Sequence, residues 1–229
     1  MANHLRKPLA DLNIIALHLG SGASACAIKG GKSLDTTMGL TPLAGLPGAT
    51  RSGDIDASLI FHYTHRAGRM SRSSTKNLHL TEAEEILNKQ SGWKALTGTT
   101  DFGKISALAE ASRKDEKGHA ECKLAFDVFA DRILGYVGNY YVKLGGRVDA
   151  LVFAGGIGEK GAGLRRRVVD GVRCLGFRGL DEKRNAEVGD VDGVVVDIDD
   201  GAEGGHPVLV CRTDEQLEMA RDCWRSVEA

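Results

Sequence analysis

The first forty residues set apolar and polar positions in short runs broken by glycine. Asn13–Leu17 is an apolar run that enters Gly20-Ser-Gly22. A short alternating run, Ala23–Ile28, leaves that turn toward Gly30-Gly31, and Ser33–Met38 follows. Such runs predict three β-strands joined as a hairpin and meander, not a strand feeding a helix. Helical spacing begins later. Asp56 predicts a helix to about Ala67, with Leu59, Ile60, Tyr63 and Ala67 on one face. The basic, serine-rich stretch Arg66–His79 has no apolar period and predicts an exposed loop. Thr81-Glu-Ala-Glu84 predicts a capping box whose helix stops near Ser91-Gly92. The longest helix is predicted over His119–Leu144. Leu124, Val128, Ile133, Val137, Tyr140 and Leu144 would line its buried face, with Gly145-Gly146 ending it. The last third alternates: strand Val148–Phe153, helix Ala162–Leu175, strands Gly193–Ile198 and Val208–Cys211, helix Asp214–Ser226. This order predicts an α/β fold, a mixed sheet covered by helices.

Charge and cysteine content narrow the partners. A formal net charge of −1 over 229 residues leaves no basic field, so no nucleic-acid partner is implied. Cys26, Cys122, Cys174, Cys211 and Cys223 are odd in number and form no CxxC. They read as reduced thiols of a cytoplasmic protein. No run approaches membrane-helix length, and Met1–Lys7 lacks the apolar core of a signal peptide, so no membrane is implied.

Four segments carry candidate chemistry. The Gly20–Gly22 tip would let backbone N–H groups approach a phosphate, or it is a plain hairpin turn. It is not a Walker loop: counting back from Gly31-Lys32-Ser33 finds Cys26 where the first glycine belongs. Ala154-Gly-Gly-Ile-Gly-Glu-Lys-Gly161 sits between a predicted strand and helix. Gly156, Gly158 and Gly161 formally satisfy the dinucleotide fingerprint, which makes an NAD(P)-dependent oxidoreductase the competing function. That fingerprint lies late in the chain, without an acid-tipped second strand. The segment is otherwise a structural strand–helix turn. Thr50-Arg-Ser-Gly-Asp-Ile-Asp56 sets one guanidinium among two carboxylates. Arg51 is either a two-pronged donor to a phosphoryl or carboxylate group, or part of a salt-bridged loop in which Asp56 caps a helix. In Thr213-Asp-Glu-Gln216, Thr213 and Gln216 form a capping box, or Glu215 acts on a divalent metal bound to nucleotide phosphates. His62 and His65, and the Arg165–Arg167 run, read as solvated helix faces.

Taken in order, the motifs resemble the acetate kinase family, within the actin-like sugar-kinase and chaperone ATPase fold. The matching segments are His18-Leu-Gly-Ser-Gly-Ala-Ser24, Asp35-Thr-Thr-Met-Gly-Leu-Thr-Pro42, Gly48-Ala-Thr-Arg-Ser-Gly-Asp-Ile-Asp56, Phe153-Ala-Gly-Gly-Ile-Gly-Glu159 and Arg212-Thr-Asp-Glu-Gln-Leu-Glu-Met-Ala-Arg221. Arg69–Leu78 and Arg113–Gly118 look like insertions. The resemblance implies a ribonuclease-H-like lobe, residues 1–229 forming one C-terminal nucleotide-binding domain. The N-terminal domain, with its catalytic aspartate and acetate pocket, would then lie outside this chain.

Residue by residue, the resemblance implies that His18, Leu19, Gly20, Ser21 and Gly22 hold the ATP phosphates, with Ser21 standing where the family usually has Asn. Arg51 would stabilise the transferring phosphoryl group. Asp101, Phe102 and Gly103 align with a nucleotide-contacting element that normally ends in Arg. Gly156, Ile157, Gly158 and Glu159 match the adenosine loop, and Lys160 replaces its usual Asn. Glu215 matches a magnesium-linked glutamate, and Gln216 replaces a second acid. The implied reaction is ATP plus acetate to ADP plus acetyl phosphate, with Mg2+, in a cytoplasmic homodimer. Propionate or butyrate would serve the same chemistry. A non-catalytic nucleotide-binding or dimerisation module is the third alternative.

Overall fold

The computed structural model describes residues 1–63, 68–111 and 117–228. Its strands are β1 (Ile14–Leu19), β2 (Ala23–Lys29), β3 (Lys32–Thr36), β4 (Ala150–Ala154), β5 (Val195–Asp197) and β6 (Val208–Cys211). Its helices are α1 (Leu59–Tyr63), α2 (Glu82–Lys89), α3 (Gly92–Thr97), α4 (Phe102–Ala109), α5 (His119–Lys143), α6 (Gly155–Lys160), α7 (Ala162–Val172), α8 (Glu182–Ala186) and α9 (Glu215–Glu228). Among the described residues the strands form one sheet in the order β3-β2-β1-β4-β6-β5. β1, β2 and β3 run antiparallel as the predicted meander, while β4 is parallel to both β1 and β6.

The alternation of β1 decides which face is which. Ile15, Leu17 and Leu19 point into the main core with Ala23, Ala25, Ala27, Leu151, Phe153, Val208 and Val210. Ile14 points the other way, into a smaller cluster with Leu12, Ala150, Val152 and Leu209. β4 is buried on both faces, which is why it reads as a continuous apolar run. A doubly wound dinucleotide fold would follow its first strand with a parallel crossover. Here β1 turns back antiparallel into β2, which removes the oxidoreductase reading.

α5 covers the main face, with Ile133, Val137, Tyr140 and Leu144 buried as predicted and a different stripe buried in its first half. Its buried stripe is Cys122, Ala125, Phe126, Phe129, Ala130, Ile133, Val137 and Tyr140. Leu124 and Val128 are exposed instead. Small residues at 122, 125 and 130 let the helix lie close to the sheet, and the aromatics fill what remains. Phe129 alone touches Trp93 and Phe102 at ring-centroid distances of 5.3 and 5.1 Å. Its truncation to alanine would cost on the order of 3–5 kcal/mol.

Other boundaries moved for local reasons. The capping box holds: Thr81 Oγ1 accepts from Glu84 N, and the Glu84 carboxylate accepts from Thr81 N at 2.8 Å. The stretch after Gly68 is not wholly exposed. Ser71 is buried and donates to Glu85, and Met70 pairs with Thr81 as an isolated bridge. α7 stops at Val172 and tightens into a 3-10 turn over Arg173–Leu175. The described part of the helix predicted to reach Ala67 is α1, preceded by an Asp56 turn whose carboxylate accepts from Ser58 N. Ala67, His65 and residues 113–116 of the second insertion lie outside the described residues. Among the described residues no helix is long and apolar enough to cross a membrane.

Candidate nucleotide site

Three loops leave the carboxyl ends of the parallel strands β1, β4 and β6. In open α/β sheets that edge is where ligands bind. The pairing of His18 with Ala154 sets the first two loops side by side. Gly155, with φ +76°, makes the turn into α6 possible: a Cβ there would stand 2.7 Å from the Leu19 carbonyl oxygen. The second glycine cluster is therefore itself a helical turn, not an open loop before a helix. Nothing lies within 4 Å of where a Gly156 Cβ would be, so that face of the turn is open.

The Gly20–Gly22 tip is closed by Gly20 N donating to Gly22 O at 3.1 Å. The Arg51 loop docks on it through Ala49 N, which donates to Ser21 O at 2.8 Å. Gly48 N donates to Arg51 O at 3.1 Å, which curls Arg51 back over the tip. A Cβ on Gly22 would meet Arg51 Nη1 at 2.8 Å, so the guanidinium lies directly against the glycine. Both nearby carboxylates are engaged elsewhere. Asp54 accepts from Gly45 N at 2.7 Å and from the Tyr136 hydroxyl. Asp56 accepts from Ser58 N and Oγ. Among the described residues the Arg51 guanidinium has no hydrogen-bond or ion-pair partner. The salt-bridged loop is thus not what forms, and a two-pronged cation is left beside the tip.

The third loop closes the group. Thr213 N donates to Glu159 Oε1 at 3.3 Å, and His18 Nε2 lies 3.9 Å from Glu215 Oε1. Asp214, not Thr213, caps α9, accepting from Leu217 N at 2.9 Å. Glu215 keeps an exposed carboxylate. Among the described residues no three His, Cys, Asp or Glu side chains converge as a metal site. One free carboxylate suits a divalent ion that arrives already held by phosphate oxygens.

Asp101, Phe102 and Gly103 stand apart. Asp101 caps α4 by accepting from Lys104 N at 3.2 Å, and Phe102 is 5% exposed, its ring in the aromatic cluster. Among the described residues none of the three hydrogen-bonds to the tip or to α6. They connect through Trp93, whose indole N–H donates to Thr100 O and whose backbone N donates to Gly48 O. Leu19 is likewise fully buried, leaving its backbone for the site, and Lys160 ends α6.

One group behind the site was not visible in the sequence. Arg165 is fully buried, against the expectation of a solvated Arg165–Arg167 face. Its Nη1 donates to the carbonyls of Gly158 and Glu159 at 2.7 and 2.8 Å. Only Arg166 and Arg167 are exposed, and Arg166 pairs with Glu182. The signal was the position of Arg165 next to Leu164 and three before Val168, both fully buried.

A profile of the acetokinase family matches residues 1–221. A probable acetate kinase of Neurospora crassa is 58% identical over 239 residues, covering 97% of this chain and 51% of that protein. One of Emericella nidulans is 58% identical, covering 99% and 52%. The crystal structure of Porphyromonas gingivalis acetate kinase superposes with a TM-score of 0.78 at 32% identity, over 96% of this chain and 50% of that one. A propionate kinase from Francisella tularensis gives 0.77 at 34%, with the same coverage. The chain spans about half the length of the curated relatives it matches.

Proposed function

The chain belongs to the acetokinase family, and from that premise we propose that it supplies the nucleotide-holding half of an acetate-kinase-type phosphotransferase. The reaction would be ATP plus acetate to ADP plus acetyl phosphate. Residues 1–229 would form one nucleotide-binding domain. The observation that carries this reading is the convergence of the Gly20–Gly22 tip, α6 and the Glu215 loop at one sheet edge, with the unpaired Arg51 guanidinium against Gly22.

In this reading the Ser21 and Gly22 end of the tip and His18 hold the phosphates, Gly20 N being spent on closing the turn. The open face at Gly156 takes the adenosine, with Ile157, Gly158, Glu159 and Lys160 completing that turn. In-line transfer spreads negative charge over the equatorial phosphoryl oxygens, and Arg51 offsets it with two parallel donors. Glu215 would hold Mg2+ brought in by the nucleotide, and the bound ion would supply charge neutralisation at the phosphates. Asp101 and Gly103 would border the site from the Trp93 side. The carboxylate substrate would be positioned by residues outside this chain, so the chain alone should form no acetyl phosphate at a useful rate.

The free state of Cys26, Cys122, Cys174, Cys211 and Cys223 supports a cytoplasmic setting. Exposed Leu96 and Val128, which line the cavity between α2, α3 and α5, offer the apolar surface for pairing two copies. Calorimetry with Mg·ADP tests the nucleotide assignment. Wild type should bind and Gly156→Val should not, since the branched side chain enters open space without strain on the fold. Equal binding by both would remove the adenosine assignment.

A further inference from the structure

Arg165 is the bulkiest fully buried side chain of the described structure, 1% exposed. Among the described residues no carboxylate meets it. Its hydrogen-bond acceptors are four neutral oxygens: the carbonyls of Gly158, Glu159 and Asn185, and Asn185 Oδ1 at 2.7 Å. Burial pulls its pKa down to about 10. A buried cation without a counter-ion is costly, and its hydrogen bonds to these four oxygens are what offset that cost. What the guanidinium supplies is geometry.

Two of its acceptors identify that geometry. Gly158 and Glu159 are in the last turn of α6, where carbonyls have no further helical N–H to accept from. The helix breaks at Gly161, so Arg165 reaches back from α7 and fills that role. A cation at a helix C-terminus also opposes the local dipole. On its other side Arg165 is gripped by Asn185, itself fully buried, whose Nδ2 donates to Ala162 O at 3.1 Å. The pair thus ties α8, the start of α7 and the end of α6 into one unit. Glu159 extends it forward: its carbonyl takes Arg165, and its carboxylate takes Thr213 N, two residues before Glu215.

We propose that Arg165, held by Asn185, is a positioning residue that sets the α6 turn, and through Glu159 the Glu215 loop, for nucleotide binding. The proposal rests on the reading of that turn as the adenosine site. It touches no substrate and acts only through the carbonyls it holds.

The test uses the full chain and Mg·ADP. Arg165→Lys keeps the charge but cannot span two carbonyls and Asn185 at once. It should weaken Mg·ADP binding roughly tenfold or more per folded molecule, as loss of a supporting contact around a site does. Amide hydrogen exchange should quicken at Gly158–Lys160 while β1 and β4 stay protected. Asn185→Ala, which frees one side of the guanidinium, should weaken binding in the same direction, and it serves if Arg165→Lys does not fold. Unchanged affinity in a folded Arg165→Lys or Asn185→Ala protein, with exchange faster everywhere alike, would overturn the proposal. Gly156→Val separates the two levels. If it abolishes binding while the Arg165 and Asn185 variants bind normally, only the positioning role fails. If wild type does not bind, or Gly156→Val binds normally, the adenosine reading fails and the positioning role with it.

Discussion

His18 Nε2 and Glu215 Oε1 face each other at 3.9 Å, one from the end of β1 and one from the start of α9. Both side chains are substantially exposed, so the pair contributes little to stability. On the proposed reading, its importance is in bringing a phosphate-side imidazole and a metal-side carboxylate to one place. Glu215→Gln should therefore leave unfolding free energy within about 0.5 kcal/mol of wild type. It should also remove most of the gain in ADP affinity that Mg2+ produces. Calorimetric titrations with and without Mg2+ read this directly, and an undiminished gain in Glu215→Gln would remove Glu215 from the metal site.

Gly22 and Gly155 should respond oppositely to the same alanine substitution. A Cβ on Gly22 meets the far end of Arg51, which can swing away. A Cβ on Gly155 meets the Leu19 backbone, at a φ that disfavours side chains. Gly155→Ala should lose roughly 1–3 kcal/mol of stability. Gly22→Ala should melt nearly as wild type while binding ADP more weakly. Equal melting of the two variants would contradict the close approach under Leu19.

Arg51→Ala should barely change the melting temperature, since the guanidinium has no partner to lose among the described residues. Placed at the matching position of a full-length acetokinase-family enzyme, the substitution should lower kcat on the order of a hundredfold to a thousandfold. Because the contact strengthens as charge develops, kcat and kcat/KM should fall together. Arg51→Lys should rescue only part, lacking the second donor. Near-normal kcat with a lowered melting temperature would return Arg51 to a structural role.

Burial, reinforced by the Asp54 carboxylate it donates to, pushes the Tyr136 phenol up to about 12. Unfolded, it ionises near pH 10. The folded state thus keeps a proton that the unfolded chain releases. The associated stability is whole below about pH 10 and drains away as pH rises toward 12. Tyr136→Phe should flatten this alkaline decline. It should not abolish it, because burial also raises Tyr140. Urea unfolding between pH 8 and 11 measures the slope, and identical slopes would exclude the Tyr136 contribution.

The parts legible in sequence were those whose cause is local. Glycines at 20, 22, 156 and 158 announced backbone-lined turns, and Thr81 with Glu84 announced a capped helix. The phase of α5 was legible in its second half, through Ile133, Val137 and Tyr140, but not in its first, because Leu124 and Val128 outrank Ala125 and Ala130 in hydrophobicity. Close packing selected the small residues instead. Arg165 was misread because three consecutive arginines look solvated. Only the fold reveals that the first of them meets uncapped carbonyls. Phe102 belongs to the aromatic cluster for a similar reason: nothing near it in the chain announces Trp93 or Phe129 as neighbours.

The pairing of His18 with Ala154 has a metrical consequence. The Gly20–Gly22 tip and the α6 turn both leave the end of one parallel ladder, so their offset is counted in whole residues. A slip of β4 by one residue would exchange the side chains of its two buried faces between the two clusters. A slip of two would keep the faces but carry α6 about 6–7 Å along β1. On the proposed reading, the span between phosphates and adenosine is therefore graduated in coarse steps by the sheet. A two-residue shift of β4 along β1, in one direction or the other, is the change that would recalibrate it without redrawing either loop.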